Sequence, residues 1–437
     1  HVDEHYGGGL DYAAAEAAED VSDPSTWTFT QSDQAFLEFL KVAKSKGFRV
    51  IIDGVFNHVG TLHPAFRDVQ QNGQDSPYAD WFDVRSWEPF EYEGWAGFGE
   101  LPVFVKNEHR GLASDGVYQH IMDITTRWMD PDGDGDPSDG IDGWRLDVPN
   151  EVPLPFWIEW RKHVKSINPD AFIVGEIWDR AEHWLDGRSF DAVMNYPFAE
   201  IAFDWIAAKD KKIHASEAER QLARLRMAYP DSATYVLQNL LDSHDTDRMV
   251  SKVFNPDRPF DAQNREQQVD NYNPDKPDAE SYRKARLLAL LQMTYVGAPM
   301  IYYGDEVGLW GSDDPNNRKP MLWEDLQPYD EPGMEVMPGQ LDFYRRAIAI
   351  RNTYPALRRG SIETVLIDDD QDTWAFVREF DGQRVLVTIN ASNTDAVITL
   401  PESLGTGWTR ALVEPGEAPV DWPSIHVPAV GGVVWVK

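Results

Sequence analysis

Cysteine is absent from all 437 residues. Disulfides, thiolate zinc sites, iron–sulfur clusters and cysteine nucleophiles are thereby excluded, while the redox compartment stays open. Basic residues are scarce: 40 Lys and Arg stand against 74 Asp and Glu, a formal net charge of −34. Nucleic acid and anionic membranes attract basic surfaces, so both are poor partners for this chain. Long apolar runs are missing too, and none reaches the about 18 residues of a membrane span. Hydrophobic residues nevertheless make up 42% of the chain, too many for an acidic disordered sequence. At roughly 100–200 residues per domain, two or three domains are expected. Aromatic residues, at 12%, suit either a large core or a sugar cleft, where flat rings stack on the apolar faces of pyranoses.

Helix and strand signals alternate along the chain. Phe36, Phe39, Leu40 and Ala43 fall on one face of a helix over 31–46, with Thr30 at its start and Gly47 at its end. Residues 48–53 follow as a short, nearly continuous apolar run, the pattern of a strand buried on both faces. Further helices are expected at 117–129, 155–167, 281–295 and 340–351, and further strands at 140–147, 171–176, 190–195, 234–239 and 299–303. This alternation marks an α/β layer fold. Six strands suit an open doubly wound sheet or six of the eight strands of a (β/α)8 TIM barrel. Asp53, Asp147 and Glu176 stand at the C-terminal ends of strands, and His244-Asp245 lies just past another. Barrel enzymes place their chemistry there, which favours the barrel. Residues 1–359 thus read as a catalytic barrel. The stretch at about 58–116 is too long for a simple connection and reads as an inserted loop domain. The polar stretch 255–278 reads as an exposed loop. Residues 360–437 read as a C-terminal all-β sandwich, with Asp381-Gly382 turning a hairpin between 373–380 and 384–390.

Three carboxylates carry the chemistry: Asp147, Glu176 and Asp245. Arg145 precedes Asp147 by two, so in a strand both side chains point the same way. An arginine beside a carboxylate favours its ionised form, as a nucleophile needs. Glu176 has no basic neighbour in sequence and is followed by Ile177 and Trp178. Apolar surroundings favour a protonated carboxyl, as a general acid needs. Two carboxyls driven apart in this way serve glycoside hydrolysis. The alternative is a set of strand-end acids that bind a metal or cap helices. A separate acidic run, Asp130-Pro131-Asp132-Gly133-Asp134-Gly135-Asp136, resembles the start of a calcium loop, but Ile141 stands where a bidentate Glu is expected. Asp130, Asp132, Asp134 and Asp136 are therefore candidate metal ligands or an acidic turn.

The strand-end motifs resemble those of the α-amylase family of glycoside hydrolases. Asp53-Gly54-Val55-Phe56-Asn57-His58 resembles the third-strand motif and Gly143-Trp144-Arg145-Leu146-Asp147 the fourth. Gly175-Glu176 resembles the fifth and Ser243-His244-Asp245 the seventh. The flanks, Asp147-Val148-Pro149-Asn150-Glu151-Val152, Gly175-Glu176-Ile177-Trp178 and 191–198, resemble the neopullulanase, cyclomaltodextrinase and maltogenic amylase group. So does Asp314-Pro315 with Arg318-Lys319-Pro320-Met321, while Leu101–Asn107 matches the group's secondary motif only loosely. The resemblance implies a retaining hydrolase of α-1,4-glucans such as cyclodextrins, pullulan or malto-oligosaccharides. Asp147 would be the nucleophile, Glu176 the acid/base and Asp245 the transition-state stabiliser. Asp53, His58, Arg145, His244, Trp178, Asn150, Glu151, Asp314 and Arg318 would bind substrate. No cofactor would be required for catalysis, and Asn57 would be a further calcium ligand.

Two other functions share these motifs: a transglycosylase or sugar isomerase on the same scaffold, and a catalytically inactive amylase-like binding subunit. The resemblance also implies that the chain carries barrel strands three to eight. The first two strands would come from an N-terminal fragment or a second polypeptide, because a barrel has no free edges. A homo-oligomer is compatible with the sequence.

Overall fold

The computed structural model describes residues 1–3, 11–260, 271–416 and 420–437. Part of the expected loop at 255–278, and residues 4–7 of the opening segment, lie outside them. Two compact units are distinguished, His1–Ile177 with Ala181–Val193, and Trp178–Arg180 with Met194–Lys437.

In the first unit the expected helix spans Gln31–Ser45. Its start is fixed by a reciprocal cap. Thr30 Oγ1 accepts from Asp33 N at 3.2 Å, and Asp33 Oδ2 accepts from Thr30 N at 3.0 Å. The helix leads to strand β1 (Ile51–Gly54), which is followed by β2 (Gly143–Leu146), β3 (Phe172–Gly175) and β4 (Ala192–Val193). They form one parallel sheet in the order β1-β2-β3-β4. Helices Asp115–Met129 and Leu154–Ile167 precede β2 and β3 and bury Ile121, Trp128, Trp157 and Trp160. A Cβ on Gly143 would stand 2.0 Å from the Phe172 carbonyl oxygen, so only glycine lets β2 approach β3 this closely. The insertion between β1 and β2 has its own helix, Pro64–Asn72, and two short hairpins. Phe66, Trp81, Phe82 and Phe104 form its aromatic core.

The second unit opens with helices Tyr196–Ile206 and Ala215–Ala228. Its parallel pair, β5 (Gln238–Asn239) and β6 (Ala298–Pro299), flanks helix Ala279–Thr294. The strand expected over 234–239 is therefore only two residues long. Asp231–Thr234 is helical instead, and Thr234 Oγ1 donates back to Pro230 O at 3.2 Å. That local bond competes with a sheet ladder. Strands expected at 190–195 and 299–303 are likewise cut to two residues.

Residues 361–436 form a five-stranded antiparallel sheet facing a three-stranded one. The hairpin between Thr373–Phe380 and Gln383–Asn390 pairs Phe380 with Gln383. Asp381 and Gly382 between them both have positive φ, 50° and 78°, the geometry of a tight primed turn. The larger sheet is covered on both faces. Trp374, Phe376, Val385 and Val387 pack with Leu287 and Leu290 of the helix, while Ala375, Val377, Leu386 and Val433 pack with Ile398 and Ile425 of the smaller sheet. Burial on both faces explains why these strands read as continuous apolar runs.

Candidate active site

Sheet register builds the cluster of acids in the first unit. Asp53 on β1 is the direct neighbour of Arg145 on β2, which in turn neighbours Val174 on β3. Arg145 therefore lies between the ends of three strands, and its guanidinium gathers the acids around it. Nη1 is 2.7 Å from Asp53 Oδ2 and 2.9 Å from Asp147 Oδ1, and Nη2 is 2.9 Å from Glu176 Oε2. Burial works against the arginine's charge, but Glu176, then Asp53 and Asp147, outweigh it and raise its pKa above the ordinary value. Glu176 is buried, with 4% of its surface exposed. Glu176 has no basic neighbour in sequence, but Arg145, remote along the chain, reaches it across the β2–β3 register.

Val148, the residue after Asp147, has φ 35° and ψ 49°. A β-branched residue is strained in this left-handed region. The turn aims the Val148 N–H at Glu176 Oε2, 3.1 Å away. Nothing in the residue type signals this role. Asn150 and Glu151 follow in a short 3-10 turn and are exposed.

His58 is oriented by a chain the sequence only partly signals. Lys106 Nζ donates to Asn57 Oδ1 at 2.5 Å and to Glu151 O at 3.1 Å. With its oxygen so engaged, Asn57 presents Nδ2 to His58 Nδ1 at 3.0 Å. His58 Nδ1 is then the acceptor and Nε2 carries the proton. Burial lowers the His58 pKa, opposed by the charge of Asp147. The ring also stacks on Trp95, 5.3 Å between centroids. Lys106 lies in the loosely matching stretch 101–107, and burial lowers its pKa.

In this arrangement the Asn57 amide oxygen, the expected metal ligand, accepts from the Lys106 ammonium. The acidic run is corrected. Asp130, Asp132 and Asp139 bring carboxylate oxygens within 4.8 Å of one another. Asp134 and Asp136 lie outside that cluster and accept backbone N–H groups two residues on, from Asp136 at 2.7 Å and Ser138 at 3.0 Å, as Asp132 does from Asp134 at 3.1 Å. The Asp139 pKa is raised by burial and by the charges of Asp132 and Asp130. Asp130 Oδ1 is buried and accepts no hydrogen bond. Three converging carboxylates, one with an unsatisfied buried oxygen, are a donor set suited to a hard cation such as Ca²⁺.

The second unit holds the remaining candidates. His244 Nε2 is 3.1 Å from Asp245 Oδ2. Arg318 Nε donates to His244 O at 3.0 Å and lies 3.0 Å from Asp314 Oδ1, while Nη2 is 3.4 Å from Asp245 Oδ1. Trp178 stacks on Tyr196 at 3.8 Å between centroids.

The family model described as "Alpha amylase, catalytic domain" matches residues 28–360. Among curated proteins, the chain is 37% identical to Neopullulanase 2 of Thermoactinomyces vulgaris over 86% of this chain and 57% of that protein. It is 34% identical to the Cyclomaltodextrinase of Geobacillus thermopakistaniensis over 91% of this chain and 60% of that one. The chain thus spans little more than half the length of these relatives. Among solved structures, the native debranching enzyme of Nostoc punctiforme is similar with a TM-score of 0.76 and 30% identity, over 95% of this chain and 82% of that one. The type III pullulan hydrolase from Thermococcus kodakarensis is similar with a TM-score of 0.74 and 31% identity, over 96% and 65%.

Proposed function

The chain belongs to the α-amylase family, whose members combine a TIM barrel with a C-terminal β domain, and from that premise we propose that it is a retaining α-glucan hydrolase. It cleaves α-1,4 bonds of cyclodextrins, pullulan or malto-oligosaccharides. Asp147 attacks the anomeric carbon as Glu176 protonates the departing oxygen, so the glycosidic electrons leave with that oxygen. Glu176 then takes a proton from water, whose oxygen displaces Asp147 and restores both carboxyls. Asp245 stabilises the positively charged ring. By the family resemblance His58 and His244 each hydrogen-bond sugar, Asp53 holds Arg145, and Trp178 receives the leaving side. Asn150, Glu151, Asp314 and Arg318 bind further sugar.

The observation that carries this reading is the single guanidinium of Arg145, 2.9 Å from both Asp147 and Glu176. Two carboxyls on the two terminal nitrogens of one guanidinium can flank one glycosidic bond; a retaining enzyme calls for a separation of about 5–5.5 Å between them. Residues 1–359 are read as the catalytic part and 360–437 as the C-terminal β-sandwich. Among the described residues β1 has one strand neighbour, β2, and Phe48 before it is 64% exposed. Barrel strands supplied by another stretch of polypeptide would cover that edge. Asp130, Asp132 and Asp139 would hold a structural Ca²⁺ that takes no part in the chemistry.

Asp147→Asn and Glu176→Gln, assayed by product chromatography on β-cyclodextrin, pullulan and starch, should each lose at least about 10³-fold in kcat. Losses of only a few-fold would show the roles to be misassigned.

A further inference from the structure

Two consecutive residues grip the turn that presents His244 and Asp245. Asn317 is fully buried, and its Nδ2 donates to Thr246 O at 2.8 Å and Ser243 O at 3.3 Å. Arg318 takes the carbonyl between them, His244 O. Three backbone acceptors of one short turn are thus held by the 3-10 segment Asn316–Arg318. Inside the turn, Ser243 Oγ accepts from Asp245 N at 3.1 Å and Thr246 Oγ1 from Ser243 N at 3.0 Å. A flipped carboxamide would set the Asn317 oxygen against two carbonyl oxygens, so the orientation is fixed. One nitrogen carrying two protons serves both acceptors. Asp has the same shape but no such donor, and Ala leaves two buried carbonyls unpaired, which is costly.

We propose that Asn317 is a positioning residue for Asp245. It is fully buried and acts by fixing the two ends of the turn, which sets the direction of the Asp245 carboxylate. The proposal rests on the reading of Asp245 as the transition-state stabiliser.

The test compares Asn317→Asp, Asn317→Ala and Asp245→Asn in the full protein on a malto-oligosaccharide. Both Asn317 variants should lose about 10²-fold in kcat, the loss expected for a displacement of about 1 Å, with KM changed less than about threefold. Affinity for a cationic half-chair mimic of the reacting glucose should fall by the same factor as kcat/KM, while maltose binds as before. Equal weakening of mimic and maltose would mark a general structural role and overturn the proposal. So would wild-type kcat in both Asn317 variants beside an inactive Asp245→Asn. An active Asp245→Asn would instead overturn the reading of the site. Should Asn317→Ala fail to fold, Asn317→Ser keeps one donor and should lose about 10-fold in kcat. Full activity of that variant would likewise overturn the proposal.

Discussion

Replacing Arg145 by Met tests the geometry of the site without any assay of catalysis. The arginine side chain is 13% exposed and those of its partners differ sharply: Glu176 5%, Asp147 22% and Asp53 47%. At an effective permittivity of about 20, opposite charges about 4 Å apart attract by about 4 kcal/mol. The Asp53 contribution is largely screened by water and is discounted. With Glu176 ionised in the ion-paired resting enzyme, the attraction to it counts most, because without Arg145 a buried carboxylate remains beside two others. Breaking one side of a buried pair costs about 3–5 kcal/mol. Met keeps much of the side-chain volume, so the loss is electrostatic rather than a cavity. Arg145→Met should therefore lower the unfolding free energy by about 3–5 kcal/mol, read from urea titrations followed by tryptophan fluorescence. In the double variant Arg145→Met with Glu176→Gln the stranded charge is gone, and about 1–3 kcal/mol should return. Glu176→Gln alone leaves Arg145 with two acids and should cost far less. A loss below about 1 kcal/mol for Arg145→Met, or simple additivity in the double variant, would refute the picture of one guanidinium holding these acids.

Three further outcomes follow from the same structure. Burial pushes the His63 pKa down to about 4 and, helped by the charge of His63, that of His120 down to about 3. Both stay neutral in the fold while the unfolded chain protonates them below about 6.5. Their contribution is complete above pH 6.5 and is lost as pH falls toward 4, at up to roughly 1.4 kcal/mol per pH unit for each imidazole. His120→Gln should flatten the acid side of the stability curve, and an unchanged slope in urea titrations would contradict this. Chelation by EDTA should lower the melting temperature if Asp130, Asp132 and Asp139 hold Ca²⁺, by an amount equivalent to about 2.7 kcal/mol when calcium had been at 100 times Kd; Asp139→Asn should then melt alike with and without EDTA. Trp178→Ala removes the ring stacked on Tyr196 and should reduce transfer to sugar acceptors several-fold more than hydrolysis. An unchanged ratio of transfer to hydrolysis products would remove Trp178 from the leaving side.

Some of this protein is local, and that part can be read from the sequence alone. The 3.6-residue spacing of Phe36, Leu40 and Ala43 and the Thr30–Asp33 cap place the helix Gln31–Ser45. Apolar runs place β1, β2 and β3, and acids at their C-terminal ends mark the side where chemistry gathers. Arg145 and Asp147 share a direction because alternate residues of a strand do. Tertiary structure decided what those acids meet. Glu176 faces Arg145 only because the β2–β3 register sets Arg145 beside Val174, and no local pattern encodes a register. Asn57 meets Lys106 across 49 residues of chain and turns its amide nitrogen to His58. Asp139 replaces Asp134 and Asp136 in the acidic cluster because the loop folds back on itself. Val148 sits at φ 35° although a valine favours extended backbone. Helix and strand periods are properties of neighbouring residues, whereas charge pairing, ligand sets and backbone strain depend on which distant segments packing brings within a few ångströms.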